Sequence, residues 1–322
     1  MSQQRSRREG WGMVAAVPWA AWAALRATGG DRGFPLVPVV AFTPYAAASS
    51  VLPVAAAAAA RSAGGTLLAA LAGAVLTGAV RGNRGTPAPV LPDGGERLRI
   101  ATVSLRKGLV PAASVVELVR RHDVDLLAVQ ELTPDAERRL HDAGLDRLLP
   151  HAHVIPARPG AVPSASGAVW SRLPLDRRAA VPGTFEQPSA RVSRASGPPV
   201  ELVAVHTAPP ALSPGAVRAW TGDLARLPGP VPEALRVLAG DFNATPDHGA
   251  LRAVVRRGYR DAARAQGRGA EWTWRPLRLR LPRLALDHVL VDPRLAVAGC
   301  SFVPVRGSDH RSVVVDLVLP PA

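Results

Sequence analysis

The stretch that decides the reading is Leu235-Arg236-Val237-Leu238-Ala239-Gly240-Asp241-Phe242-Asn243. A short, mostly apolar run meets a glycine, and a carboxylate and a carboxamide follow at i and i+2. Side chains alternate along a strand, so Asp241 and Asn243 point the same way where the strand ends. Four other segments end or carry polar residues in the same manner. They are Gln130-Glu131 after the apolar run 124–129, His206 after 200–205, Asp287-His288 within 286–291, and Ser308-Asp309-His310 just before 312–319. Each feature alone has an ordinary structural explanation, such as a turn former or a helix-start carboxylate. Five strand ends carrying such groups together point to one reaction centre.

The rest of the polar region supplies a scaffold for them. Residues 98–104 read as a first strand, and further strands are expected at 167–170 and 297–303. Val115, Val116, Leu118 and Val119 repeat at helical spacing within 111–122, with Pro111 suited to a first helical turn. Thr133-Pro134-Asp135 starts another helix, and two more are expected at 213–227 and 247–257. Helical crossovers mixed with direct strand connections imply an α/β fold, a mixed sheet or two packed sheets with helices outside. Arg275–Arg283, which alternates basic and apolar residues, reads as an edge strand or as a basic loop beside the site.

The polar residues suit metal-assisted phosphate-ester hydrolysis. Magnesium takes oxygen ligands from one or two carboxylates, and Glu131 and Asp309 supply them; manganese suits the same donors. Asp241 can orient or deprotonate the attacking water, and Asn243 can hold Asp241 or a phosphate oxygen. His206 and His310 can donate hydrogen bonds to phosphoryl oxygens, while Asp287 orients His310 and keeps it protonated. His288 is expected to pack, and His122, His141, His151, His153 and His248 to lie on the surface or in loops. No His-x-x-x-His or Cys/His spacing supports zinc. Cys300, the single cysteine, excludes an intrachain disulfide and reads as a small core residue.

Composition divides the chain. The formal net charge of +14 splits as +5 before residue 95 and +9 after it, and nearly every base is arginine, the mark of a GC-rich coding bias as much as of an anionic partner. Three uncharged runs, 10–25, 33–60 and 62–80, precede the polar region and give candidate spans near 10–27, 34–60 and 62–80, the first of which has to extend past Arg26. The second and third are long enough to cross a hydrocarbon core of about 30 Å. Trp11, Trp19 and Trp22 suit interfacial anchoring. Residues 1–85 are therefore expected to be a transmembrane region of about three helices. Residues 86–96, rich in Pro and Gly, read as a tether, and 97–322 as the soluble domain. Arg5, Arg7 and Arg8 favour a cytoplasmic N-terminus, which puts the soluble domain outside.

The segments 98–104, 126–131, 167–174, 203–206, 238–243, 286–290 and 308–313 resemble, in order, the motifs of the endonuclease/exonuclease/phosphatase superfamily. That group includes deoxyribonuclease I, abasic-site endonucleases, inositol-polyphosphate phosphatases and neutral sphingomyelinases. The N-terminal spans, with Ala41-Phe42-Thr43-Pro44-Tyr45, look like a membrane-attached bacterial branch. The resemblance implies a four-layer α/β/β/α sandwich and a Mg²⁺-dependent phosphoesterase acting on a nucleic acid, a phospholipid head group or a small phosphoester, with the bilayer as partner and no obligate protein partner. It gives Glu131 to the metal and lines the phosphate with His206, Asp241, Asn243 and His310. Asp287 pairs with His310, and Asp309 is a metal or outer-shell carboxylate. One position departs from the pattern. The first strand ends in Ser104 where such proteins carry asparagine. The alternative reading is a phosphate-binding module of the same fold with weakened or lost turnover.

Overall fold

The computed structural model describes residues 2–87, 95–194, 197–211 and 213–321, with side chains from residue 7 onward. Five helices come first: α1 (Ser2–Thr28), α2 (Leu36–Val40), α3 (Thr43–Ser49), α4 (Val51–Ala59) and α5 (Ala63–Arg84). The run expected near 34–60 is thus three short helices in series. Pro44 and Pro53 lie in the first turns of α3 and α4, where a missing N–H costs nothing, and the chain bends just ahead of each. α1 and α5 pack with backbones in contact: a Cβ on Gly65 would lie 2.5 Å from the Gly12 carbonyl carbon. Among the described helices, α5 is the one long and apolar enough to cross a membrane, with a mean hydropathy of 1.7. At 1.5 Å per residue it is about 33 Å long, and Leu67, Leu71 and Val75 are exposed on it.

The polar region forms two six-stranded sheets. Sheet one has the order β11-β12-β1-β2-β4-β3 and sheet two the order β5-β6-β7-β8-β10-β9. The strands of sheet one are β1 (Arg97–Ser104), β2 (Leu126–Leu132), β3 (His151–Ile155), β4 (Ser166–Ser171), β11 (Ala296–Pro304) and β12 (Arg311–Val318). Those of sheet two are β5 (Leu175–Val181), β6 (Gln187–Val192), β7 (Val200–His206), β8 (Leu235–Asp241), β9 (Arg260–Asp261) and β10 (Asp287–Val291). The parallel pairs β1–β2 and β7–β8 each need a crossover. α6 (Ala112–Arg121) and α9 (Pro214–Arg226) provide them. α7 (Pro134–Asp142), α8 (Leu145–Leu148), α10 (Gly249–Val255) and α11 (Ala262–Ala265) complete the helices.

Three apolar clusters make these layers cohere. Ile100, Leu126, Leu202, Val237 and Val289 meet between the sheets. Val103, Leu118, Leu127 and Leu140 pack α6 and α7 on the outer face of sheet one. Val205, Trp220, Leu238 and Leu251 pack α9 and α10 on the outer face of sheet two. The result is the four-layer α/β/β/α sandwich expected from the sequence. Residues 275–283 form turns and bends, so the loop reading of that segment holds and the strand reading does not.

The N-terminal helices dock on this sandwich. Val37 of α2 joins the cluster over sheet two. Ala41 and Tyr45 pack with Trp274, Leu284 and Leu286. Arg26 near the end of α1 makes a 2.5 Å ion pair with Asp247, whose Oδ1 also accepts from Asn83 Nδ2 at 2.8 Å near the end of α5. Gly249 N donates to Asp31 Oδ2 at 2.8 Å, and His248 Nε2 lies 3.0 Å from the Val37 carbonyl oxygen. Residues 88–94 of the expected tether lie outside the described residues. Whatever they do, these contacts hold the two regions together, and both α1 and α5 end against the sandwich while α2–α4 run back from it.

Asp247 is almost fully buried and Arg26 nearly so. Removing one partner of such a pair leaves an uncompensated charge, at a cost of about 3 kcal/mol. Arg26→Ala should therefore lower the thermal midpoint of the detergent-solubilised full chain by several degrees. An unchanged midpoint would show that the docking does not depend on this pair.

Candidate active site

The site sits where both sheets present strand ends. In sheet two the register sets His206 of β7 opposite Asp241 of β8, and Asp241 opposite Asp287 of β10. Three functional side chains thus stand on three adjacent strands in one row. Gly240 makes the close strand approach possible: its φ is +150°, and a Cβ there would lie 2.0 Å from the Val205 carbonyl oxygen. In sheet one the parallel register pairs Ser104 of β1 with Gln130 of β2. The β2–β4 pairing slips between Val129 and Leu132. That irregularity turns Glu131 out of the ladder, as bulges beside active sites do.

Strained backbone gathers here. Among the described residues, six that are not glycine have positive φ. Glu131 (56°) and Asn243 (46°) are site residues, and Arg106 (48°) and Lys107 (55°) form the turn that faces them. Left-handed backbone costs such residues about 1 kcal/mol or more, and it persists where surrounding contacts fix it. Lys107 N donates to Glu131 Oε2. Asn243 N donates to Asp241 Oδ1 at 2.8 Å. Its side-chain Nδ2 donates to Asp241 Oδ2 and to the Thr207 carbonyl, at 3.1 and 2.9 Å.

All seven residues proposed from the sequence face one cleft of about 590 Å³ or stand directly behind it. Glu131, His206, Asp241, Asn243, Asp309 and His310 line it, and Asp287 lies behind His310 with a 2.8 Å bond to its Nδ1. Of the two partners expected for Asn243, the structure brings its amide nitrogen to Asp241. Asp309 Oδ2 accepts from Trp274 Nε1 at 3.2 Å. Thr273 Oγ1 accepts from the backbone N–H groups of Leu286 and Asp287, both at 2.9 Å, and so fixes the start of β10.

The electrostatics are set by burial and by the Asp287–His310 pair. For His310 burial disfavours the cation, but the charge and hydrogen bond of Asp287 outweigh it and push the imidazole up to about 10. Burial pushes Asp241 up to about 7, against the pull of His310. Burial and the neighbouring His310 cation hold His206 down at about 3, so it is neutral. Its ring stacks on Phe185 with centroids 4.3 Å apart, and its buried Nδ1 has no protein partner. Glu131 is raised by burial, with the Lys107 N–H and His310 opposing and Asp309 reinforcing. Neutral His206 beside cationic His310 and a hesitant acid at Asp241 is a set of pKa values driven apart by environment, as catalysis needs.

The donor set fits a hard divalent cation. Glu131 and Asp309 are partly exposed carboxylates on the same wall and feel each other's charge. Asp241, Asp287 and His310 also cluster, with carboxylate and imidazole atoms within 4.8 Å of one another, but a protonated His310 takes part as a hydrogen-bond donor and not as a ligand. Ser104 Oγ and Gln130 Nε2 are buried without protein partners, which suits groups that serve the outer shell of such an ion.

Several residues that shape the site carried little signal in the sequence. Lys107, Phe185 and Trp274 all line the cleft, yet none of them falls within a motif segment. His248, expected on the surface, is fully buried, lines the same cleft and bonds to Thr245 N through Nδ1 at 2.8 Å. The spacing Asp241-x-Asn243…His248 held the only hint. His153, also expected outside, is buried with Nδ1 2.9 Å from the Ser189 carbonyl oxygen. His288 packs as expected, between Asp261 Oδ2 (2.9 Å) and the Ala244 carbonyl (2.8 Å).

The folds of solved proteins agree with this architecture. An endonuclease/exonuclease/phosphatase from Beutenbergia cavernae is similar with a TM-score of 0.53 at 19% identity, over 70% of this chain and 72% of that one. A humanized D. rerio TDP2 is similar with a TM-score of 0.53 at 14% identity, over 69% and 98%. SmcL is similar with a TM-score of 0.51 at 14% identity, over 69% and 99%. No curated protein matches the chain. The model of the Endonuclease/Exonuclease/phosphatase family matches residues 101–310, from the first strand through His310, and the chain belongs to that family.

Proposed function

We propose that this protein is a membrane-anchored, Mg²⁺-dependent phosphoesterase that cleaves its substrate by water attack at phosphorus, with Mn²⁺ able to replace Mg²⁺. The observation that carries the proposal is the convergence of Asp241, held by Asn243, and His310, held by Asp287, on a cleft walled by Glu131 and Asp309. Glu131 and Asp309 are the residues that would hold the metal, which when bound offsets the charge of the phosphoryl oxygens.

The chain's own groups then divide the work. Asp241 is fixed by two bonds from Asn243 and titrates near neutrality, so it accepts the proton of the attacking water. His310 stays protonated and donates to a phosphoryl oxygen through the nitrogen that Asp287 leaves free. His206 is neutral and lines the cleft, where its ring can donate to a phosphoryl oxygen. Lys107, exposed at the mouth, adds a positive charge at the rim.

Full-length protein in detergent micelles should release product from a generic phosphodiester with Mg²⁺ and lose that activity with chelator. Asp241→Ala and His310→Ala should each lower kcat by about 10²–10⁴-fold. Turnover that is indifferent to chelator, or to Asp241→Ala, would point instead to the phosphate-binding module.

The pH profile follows from the two shifted groups. Activity is lost as pH falls through the raised pKa of Asp241 and again as pH rises through that of His310. The plot of kcat/KM should be bell-shaped, with its acid limb well above the usual carboxylate range. Saturating metal should move that limb down, because a bound cation favours ionised Asp241. An acid limb near the ordinary aspartate value at low metal would remove Asp241 from the base role.

The catalytic domain is proposed to face away from the cytoplasm. Arg5, Arg7 and Arg8 lie near the N-terminal end of α1, and α1 and α5 both end against the sandwich. A reporter fused after Ala322 that matures only outside the cytoplasm should be active; cytoplasmic activity would reverse the topology.

A further inference from the structure

We infer that the phosphoester hydrolysed here is carried by a lipid of the bilayer in which the protein sits. This rests on the phosphoesterase reading and adds the substrate class. In the reaction, water forms the new P–O bond, the bond to an alcohol leaving group breaks, and that alcohol takes up a proton. The hydrocarbon part of the substrate lies on the N-terminal helices.

The first observation is the composition of the cleft wall. Pro38, Ala41 and Phe42, from the α2–α3 region, line the same cleft as Asp241 and His310. Its other lining is rich in apolar groups such as Val162, Leu284 and Leu286, and Lys107 is the one lysine or arginine among the lining residues. A polyanion such as DNA is held through many basic contacts to its backbone. The chain has 39 basic residues, yet one of them faces this cleft.

The second observation is where the cleft leads. Phe42, 37% exposed, also lines an apolar groove of about 460 Å³ between α1 and α3, with Trp19, Trp22, Tyr45 and Ser49. The indole N–H groups there are already satisfied. Trp19 donates to the Ala46 carbonyl at 3.0 Å and Trp22 to Thr43 Oγ1 at 3.1 Å. What the groove offers a ligand is therefore aromatic surface. Trp19 lies seven residues before Arg26, the residue that touches the sandwich. At 1.5 Å per residue the groove descends about 10 Å from the junction. That is the step from a lipid phosphate to the upper part of its chain.

The third observation lies beside the cleft mouth. The loop Arg275-Pro276-Leu277-Arg278-Leu279-Arg280-Leu281-Pro282-Arg283 exposes Leu277, Leu279 and Leu281 at 42%, 58% and 56%. Arg278, Arg280 and Arg283 are exposed between them. The loop is tied to α3, because Tyr45 Oη accepts from Arg283 N at 2.6 Å and donates to the Arg283 carbonyl at 3.3 Å. It thus sits at the level where the helices meet the sandwich. Alternating leucine and arginine there match an interface whose outer layer is anionic and whose inner layer is apolar.

The test uses the full chain in detergent micelles and two probes. One is mixed vesicles of equimolar phosphatidylglycerol and phosphatidylcholine; the other is the water-soluble diester bis(p-nitrophenyl) phosphate. Wild type should hydrolyse both. Ser49→Trp, which fills the groove, and the combined Leu277→Ser, Leu279→Ser, Leu281→Ser variant should each lower the ratio of lipid to soluble turnover at least tenfold. Soluble turnover reports that each variant is folded. Cleavage of the soluble diester without cleavage of vesicle lipid overturns the lipid assignment and leaves the phosphoesterase reading standing. So does a ratio changed less than twofold in both variants. Cleavage of neither probe by wild type, with metal present, overturns both.

Discussion

The bond between Asp287 and His310 joins the two halves of the molecule at the point where chemistry is expected. Asp287 begins β10 of sheet two, and His310 immediately precedes β12 of sheet one. The sheets share a dry apolar core, which fixes their separation but offers no polar registration at the edge. The buried pair supplies that registration. It keeps His310 cationic, and the His310 charge in turn lowers Asp241 and Glu131 from where burial alone would leave them. The pair thus places a cation that acts, against burial, on one carboxylate of each sheet. A buried pair of this kind is weak as a source of stability, so its place here is better explained by what it does to its neighbours.

A second constraint acts from below. The eight residues from Asp241 to His248 carry the cleft carboxylate Asp241 at one end and the docking contacts at the other. Asp247 binds Arg26 and Asn83, and His248 reaches Val37. The loop that positions Asp241 and Asn243 is therefore anchored on the N-terminal helices as well as on sheet two. The helices are part of the cleft, because Pro38 and Phe42 form one of its walls. An anchor that only tethered the domain would leave that wall open.

Much of this was legible in the sequence because core strands are apolar on both faces in a layered sandwich. β7, β8 and β10 are buried along their whole length, and such runs stand out as continuous apolar segments. The strands that were not foreseen lack that signal. β5 exposes Asp176, Arg177 and Arg178, as edge strands do. β6 carries Pro188, which argues against a strand in sequence. β9 is two residues long. His248 escaped for a different reason. Its burial depends on Val37, 211 residues away, and no local pattern encodes such a contact. The docking of the N-terminal helices was hidden on the same ground, since Arg26, Asp31 and Asn83 look like loop and helix-end residues until their partners across the interface are known.

Ser104 shows how the two kinds of information combine. In sequence it was a departure that raised the prospect of a weakened site. In the fold its hydroxyl is buried and without a protein partner, while its carbonyl accepts from Ser308 Oγ at 2.9 Å, directly before Asp309 and His310. The backbone at position 104 thus still braces the segment that carries His310, whatever the side chain is. What a carboxamide would have added is reach. The Nε2 of Gln130, the register partner of Ser104, is likewise buried without a protein partner. The departure leaves Glu131, Asp241 and His310 held by groups that the substitution does not touch.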